Sequence, residues 1–120
     1  MSDVKPVAYK FQESKSIMQV KDYLLKCIAE NVAFDGSNIP HAVLDAALIQ
    51  VSKDFKTPII TLDESAAQVL AITYKYKKFY SKDKIPSSVG NAICYQGVEP
   101  SMLPKNLTTL LVIVGDSTNE

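Results

Sequence analysis

An almost wholly apolar, β-branched run near the end of the chain, residues 107–114, constrains the fold more than any other feature. Its sequence is Leu-Thr-Thr-Leu-Leu-Val-Ile-Val, and Gly115 follows it. A short run of this kind is typical of a strand that is buried. Its uninterrupted apolar part, residues 110–114, is far too short to cross a bilayer. Other segments must therefore cover this strand.

Two segments nearer the start carry apolar residues at the spacing of an amphipathic helix. The first begins at Ser16, which has a capping-box spacing to Gln19, and we expect it to run to about residues 31–34. The second begins at Pro40 and ends before Pro58. The two stripes are Ile17, Val20, Leu24, Cys27 and Ile28, and then Leu44, Ala47, Leu48, Val51 and Phe55.

A third helix is predicted from Thr61, which has a capping-box spacing to Glu64, as far as the lysines of residues 82–84. A fourth, shorter helix is predicted over residues 89–95, and residues 59–60 are interpreted as a short apolar link. The predicted apolar face of the third helix comprises Ala66, Val69, Ile72, Thr73, Tyr76, Phe79 and Tyr80.

Residues 7–11 supply the remaining strand signal, since they are apolar, aromatic and β-branched in loose alternation. We therefore predict an α+β fold. Three to four amphipathic helices pack on a small sheet formed by the N-terminal strand (about 7–11) and the C-terminal strand (about 107–114). A two-stranded ribbon is marginal in water. The C-terminal strand is accordingly also expected to pair with a second copy, giving a homodimer.

The composition indicates one domain over residues 1–120, with a polar, mobile tail at 116–120. The chain has 47% hydrophobic and 22% charged residues, which suits a folded globule. Thirteen lysines balance 13 acidic residues and arginine is absent, so the basic surplus of a typical nucleic-acid binder is missing. Residues 1–5 lack the apolar core of a signal peptide. We expect a cytoplasmic protein with buried thiols at Cys27 and Cys94 and no membrane segment.

Residues 74–84 interleave five lysines with four aromatic residues, a mixture used by proteins that bind single-stranded nucleic acids. On a helix the two types separate, and a core face opposite a solvated lysine face is the favoured interpretation. The alternative is a docking surface for nucleic acid, a nucleotide or an acidic protein. Small residues at a helix start attract anions, so residues 87–88 beside these lysines would predict a phosphate site. The candidate binding residues are Lys75, Lys78, Lys82, Lys84, Ser87 and Ser88.

Catalytic residues are harder to find. His41 and Asp45 lie one helical turn apart, and Cys27 in the preceding helix would complete a thiol nucleophile with its base and orienter if the helices form a hairpin. No flanking motif supports this set, and Cys27 fits the apolar stripe equally well. One histidine and two distant cysteines cannot form a closed zinc site. We expect no metal, no cofactor and, on balance, no enzymatic activity.

These observations favour a small protein-interaction module, such as an inhibitor, an immunity-type protein, an adaptor or an assembly factor. The lack of arginine is compatible with a phage, plasmid or low-GC bacterial origin. The partner is then another protein, and the alternative is a nucleotide or nucleic acid bound through the lysine and aromatic residues of a helix spanning 74–84.

Overall fold

The computed structural model describes residues 5–10, 16–37 and 39–115. The predicted tail at 116–120 and Phe11 of the predicted first strand lie outside these residues. Within them the chain forms six strands and three α-helices, in the order β1 (Lys5–Lys10), α1 (Ile17–Glu30), β2 (Val32–Asp35), α2 (His41–Phe55), β3 (Ile59–Thr61), α3 (Glu64–Tyr74), β4 (Phe79–Ser81), β5 (Asn91–Cys94) and β6 (Thr108–Val114).

The strands form one sheet in the order β1-β2-β6-β5-β3-β4, and every neighbouring pair is parallel. Parallel neighbours need long crossover connections, and the three helices supply them after β1, β2 and β3. The mixture of helix and strand is confirmed. The predicted two-stranded sheet is wrong, because β2 lies between the two terminal strands.

The second half of β6 is buried at Leu111, Val112 and Ile113, as predicted for this strand. Its last two residues pair with β2, and four earlier residues pair with β5 on the other side. The strand is thus engaged on both sides within its own chain, in contrast to the expected pairing with a second copy. The edges of the described sheet are β1 and β4.

The first two predicted helices are confirmed, with one correction. Ser16 caps α1 through the expected capping box with Gln19. The helix ends at Asn31, whose φ of 56° is left-handed, instead of continuing to residue 34. The chain reverses there into β2, whose Phe34 is fully buried. The apolar residues that were predicted to end this helix therefore belong to a separate strand. Hydrophobic periodicity alone does not distinguish a short buried strand from the last turn of a helix.

The third helix differs more from its prediction. Asp63 caps it, not Thr61, and it ends at Tyr74 with Lys75 in the left-handed region. The face that packs on the sheet contains Ala67, Leu70, Ala71 and Tyr74. Three residues of the predicted core face instead point to solvent: Val69 is 60% exposed, Ile72 is 77% exposed, and Thr73 is exposed as well.

Three short apolar segments that were predicted as helix or link are strands. The supposed end of the third helix contains β4, the link at 59–60 is part of β3, and the predicted fourth helix contains β5. Each is three or four residues long. Such short runs carry too few residues to distinguish a period of 2 from one of 3.6.

The two faces of the sheet are covered differently. All three helices contribute to the core on one face, where Ile59, Phe79 and Ile93 point. Alternate strand residues such as Ile60 and Cys94 point to the opposite face. There the cover comes from segments between strands, through Ile85, Val98, Leu103 and Leu107. No helix in the described part of the chain is long and apolar enough to cross a membrane.

Candidate functional site

β4 divides the predicted lysine surface. Lys75 and Lys78 precede the strand, whereas Lys82 and Lys84 follow it, so they lie towards opposite ends of the sheet. Lys82 Nζ lies 3.3 Å from Asp83 Oδ2, and Lys84 Nζ lies 3.7 Å from Glu64 Oε1. The prediction of one lysine face on a helix spanning 74–84 is therefore wrong, because the helix ends before most of these residues.

The aromatic residues of this segment are engaged in packing. Phe79 is buried, and its ring meets the Tyr76 ring edge-on at 5.8 Å between centroids. Tyr76 Oη lies 2.6 Å from Ser52 Oγ, and Lys53 Nζ lies 5.5 Å from the centroid of the Tyr76 ring. These rings connect β4 to α2. Their contacts leave no open platform of the kind that bases stack on.

A small polar cavity lies at the amino ends of β3, β4 and β5. It has a volume of about 160 Å³. Of the predicted residues it brings together Lys78 and Ser88; Lys75, Lys82, Lys84 and Ser87 are not part of its lining. Residues 86–89 form a turn, in which Val89 N–H donates to Pro86 O at 3.1 Å, and not a helix start. The lining comprises Lys56, Pro58, Lys78, Tyr80, Pro86, Ser88, Val89, Gly90 and Asn91.

Sequence reasoning missed Lys56, the second cation of this cavity. It ends α2 with a φ of 54°, just before β3. In the sequence Lys56 lies among the polar residues at the end of a predicted helix. It comes near the start of β4 only because the chain continues from α2 into β3, which pairs with β4. No linear signal could have paired it with Lys78.

A second cavity, of about 290 Å³, lies between α3 and the edge strand β4. Its lining comprises Glu64, Ala67, Gln68, Ala71, Phe79, Tyr80, Ser81 and Lys84. One wall is therefore helical and has small residues at its base, and the other is the last strand of the sheet. We refer to this cavity as the edge groove.

The outer side of β4 has backbone groups that no neighbouring strand in the described sheet pairs with, although Phe79 and Ser81 are themselves buried. Ile59 N–H of β3 donates to Lys78 O at 2.9 Å, so residues 78 and 80 direct their backbone groups towards β3. Those of Phe79 and Ser81 point the other way. Lys84 N–H donates to Ser81 O at 2.9 Å. Among the residues that the structure describes, the N–H and C=O of Phe79 and the N–H of Ser81 have no backbone partner.

Asp45 is the most buried charged residue in the described part of the chain, with 3% of its surface exposed. Its carboxylate accepts hydrogen bonds from Tyr95 Oη at 2.6 Å and from Tyr74 Oη at 3.1 Å. Burial raises the pKa of this carboxyl, and the two hydroxyls and the charge of His41 partly offset the rise. Burial and the nearby carboxylate raise the pKa of Tyr74 to about 12 and also raise that of Tyr95.

The proposed thiol nucleophile is not supported by this arrangement. Cys27 is fully buried, and its Sγ lies 3.8 Å from Ala33 O. Asp45, the expected orienter of His41, binds two tyrosines instead. Nor do three His, Cys, Asp or Glu side chains of the described residues come together in a way that could hold a metal ion.

No family model matches this chain, and neither does any curated protein or solved structure.

Proposed function

We propose that this domain is a protein-interaction module that binds an extended segment of a partner protein along the unpaired edge of β4. The observation that carries the proposal is the coincidence of unpaired backbone groups with a groove. The edge groove lies beside the strand whose Phe79 and Ser81 direct hydrogen-bonding groups outward. Addition of a strand to a sheet edge is a common mode of peptide recognition, in which the backbone supplies affinity and side-chain pockets supply specificity.

The groove selects the side chain that such a segment inserts. Ala67 and Ala71 leave space on α3, and the ring of Phe79 forms an apolar wall. An aliphatic side chain of medium size would fill this space and remove apolar surface from water. Ile72, on the outer surface of the same helix, is 77% exposed and offers further apolar surface to a partner.

The charges near the start of β4 select the flanking residues. Lys75, Lys77 and Lys78 are all exposed. Among the described residues, none of the three forms an ion pair with a carboxylate. Acidic residues on a partner would complement this cluster, steer the encounter and fix the direction of the bound segment. The expected partner is thus an extended segment with an aliphatic anchor and with acidic residues at the end that passes these lysines.

The length of the edge favours a partner segment over a second copy of this chain. β4 has three residues, which corresponds to roughly 10 Å of strand. A stable dimer generally buries about 1,200 Å² or more. A three-residue ladder with one exposed isoleucine contributes little of such an area, whereas short ladders suffice for reversible peptide binding.

Selection from a library of random dodecapeptides displayed on phage tests the proposal, followed by fluorescence anisotropy with the selected sequences. We expect alternating aliphatic residues with acidic residues at one end, and weaker binding at high salt. In an extended segment, alternate backbone N–H groups face β4. N-methylation of two of these nitrogens should weaken binding at least about tenfold, whereas N-methylation of two nitrogens that face away from β4 should not.

Two matched variants locate the site on the protein. Ala71→Met narrows the edge groove and should abolish binding, whereas Ala66→Met makes the same change elsewhere on α3 and should not. Equal effects of the two variants would refute the proposed site. So would equal effects of the two methylation phases. A concentration-dependent dimer in analytical ultracentrifugation that Ala71→Met dissociates would instead assign the edge to a second copy and overturn the proposal.

A further inference from the structure

We infer that the cavity at the amino ends of β3, β4 and β5 is a binding site for a single phosphate group. This inference does not rest on the proposed function, because it concerns a different cavity, although Tyr80 lines both cavities and Lys78 also belongs to the lysine cluster described above. The lining includes two lysines, Lys56 and Lys78, and the polar residues Ser88 and Asn91. Its described residues include no aspartate or glutamate. A dianion in this cavity would be attracted by both lysine charges.

The backbone around the cavity is held in place by the sheet. Lys78 O accepts from Ile59 N–H at 2.9 Å, and Gly90 O accepts from Thr108 N–H at 3.0 Å. Lys56 directly precedes Thr57 and β3. Both lysine stems therefore start from fixed positions, and only their flexible ends need to order when an anion binds.

Asn91 adds a further donor. Its Oδ1 lies 3.1 Å from Thr57 Oγ1, whose single proton is shared with Phe55 O at 3.0 Å. The side-chain amide also carries the Nδ2 donor. Together with the Ser88 hydroxyl and the two ammonium groups, the cavity therefore offers donors of several kinds. Phosphate oxygens accept from all of them.

The size of the cavity restricts the ligand. A volume of about 160 Å³ is below the roughly 300–1,000 Å³ of sites that enclose drug-sized ligands. It is large enough for a tetrahedral oxyanion and too small for a nucleoside. The ligand is therefore inorganic phosphate, or a phosphate monoester such as a nucleoside monophosphate whose remaining atoms stay outside.

Gly90 permits a sharp test. A Cβ placed on this residue meets no atom within 4 Å, and Gly90 is not among the glycines with positive φ. Gly90→Asp would thus add a carboxylate beside the two lysines without a steric conflict. Gly90→Asn adds a neutral group of the same size and serves as its matched control. For the cation, Lys56→Gln is paired with Lys77→Gln, which removes the same charge one residue away from Lys78.

The experiment titrates the ¹⁵N-labelled protein with inorganic phosphate at constant ionic strength and follows its amide resonances. We expect saturable shifts at Lys56, Gly90 and Asn91. Lys56→Gln and Gly90→Asp should each weaken binding about tenfold or more, while Lys77→Gln and Gly90→Asn bind as the original protein does. The unfolding midpoint of each variant in urea verifies that it is folded.

A parallel titration with adenosine monophosphate distinguishes the sources of the phosphate group. Equal affinity would assign the site to inorganic phosphate, and tighter binding that still depends on Lys56 would assign it to a monoester. Linear, non-saturating shifts would overturn the inference, as would equal behaviour of Lys56→Gln and Lys77→Gln. Because Lys56 does not line the edge groove, Lys56→Gln should leave peptide binding intact, so the two proposals fail separately.

Discussion

Replacing Tyr95 with Phe removes one oxygen atom, and we expect this change to lower the free energy of unfolding by about 2 kcal/mol at pH 8. Tyr95 Oη donates to Asp45 Oδ1 at 2.6 Å, and Asp45 is almost completely buried. Hydrogen bonds to charged groups contribute about 1.5–3 kcal/mol, and loss of the partner leaves a buried carboxylate with one donor fewer. For a domain of this size, the loss corresponds to a decrease in Tm of about 8 °C.

The loss should depend on pH because Asp45 titrates. Burial raises the pKa of its carboxyl above the usual 3.8. The folded protein therefore holds this proton more tightly than the unfolded chain does. The stability contributed by Asp45 is complete below pH of about 4, falls as the pH rises through the raised pKa, and is constant above it. As the pH falls through this raised pKa, the Tyr95 bond comes to join neutral groups, so the cost of Tyr95→Phe should fall towards about 1 kcal/mol.

Urea unfolding at pH 4 and at pH 8, followed by circular dichroism, measures both values. Tyr74→Phe is the matched control, since its hydroxyl binds the same carboxylate at 3.1 Å and is less deeply buried than that of Tyr95. We expect it to cost about half as much as Tyr95→Phe. A double-mutant cycle with Asp45→Asn isolates the pairwise energy. The reasoning is refuted if Tyr95→Phe costs no more than Tyr74→Phe at pH 8, or if its cost is greater at pH 4.

Three further predictions concern single positions. Lys56→Gly relieves the strain of a left-handed backbone at a residue with a side chain, so it should raise the free energy of unfolding by about 1 kcal/mol. Urea unfolding measures this change, and a lower free energy of unfolding would contradict the strain argument. The variant also removes a cation from the cavity. Burial raises the pKa of Cys94 to about 12, so a disulfide reagent at pH 8 should modify this thiol only after the protein unfolds. Rapid labelling of the native protein would contradict this prediction. Gly97→Ala should lower the free energy of unfolding by about 1–2 kcal/mol, because φ is 91° and the added Cβ would lie 2.8 Å from Leu62 Cδ1. Thermal unfolding measures this loss. Gly90→Ala is the control and should leave the stability unchanged.

Long periodic segments were the part of this fold that sequence reasoning could predict. The stripe of α2 and the capping box of α1 occupy enough residues for the helical period to emerge, and β6 is apolar at nearly every position. The shortest strands gave no such signal. Because β3 and β4 contain three residues each, their apolar residues also fit a link or a helical stripe.

The candidate sites show the same limit. Lys78 and Ser88 were recognised as a potential anion-binding pair, but the prediction needed a helix that the chain does not form at residue 88. Sequence reasoning missed the role of Lys56 in the cavity and the unpaired edge of β4. Both depend on the order of strands in the sheet. That order is a property of packing between distant segments, and the spacing of residues within one segment does not contain it.

The position of β6 has a consequence for how the domain assembles. This strand follows all the other described strands in the chain, yet it alone joins β2 to β5. Until it is synthesised, the β1–β2 pair and the β5–β3–β4 group share no backbone ladder. The most apolar segment of the protein is therefore also the one that completes the sheet. A nascent chain lacking it would expose the edges of β2 and β5 to other chains, so timely emergence of residues 108–114 protects the protein from aggregation.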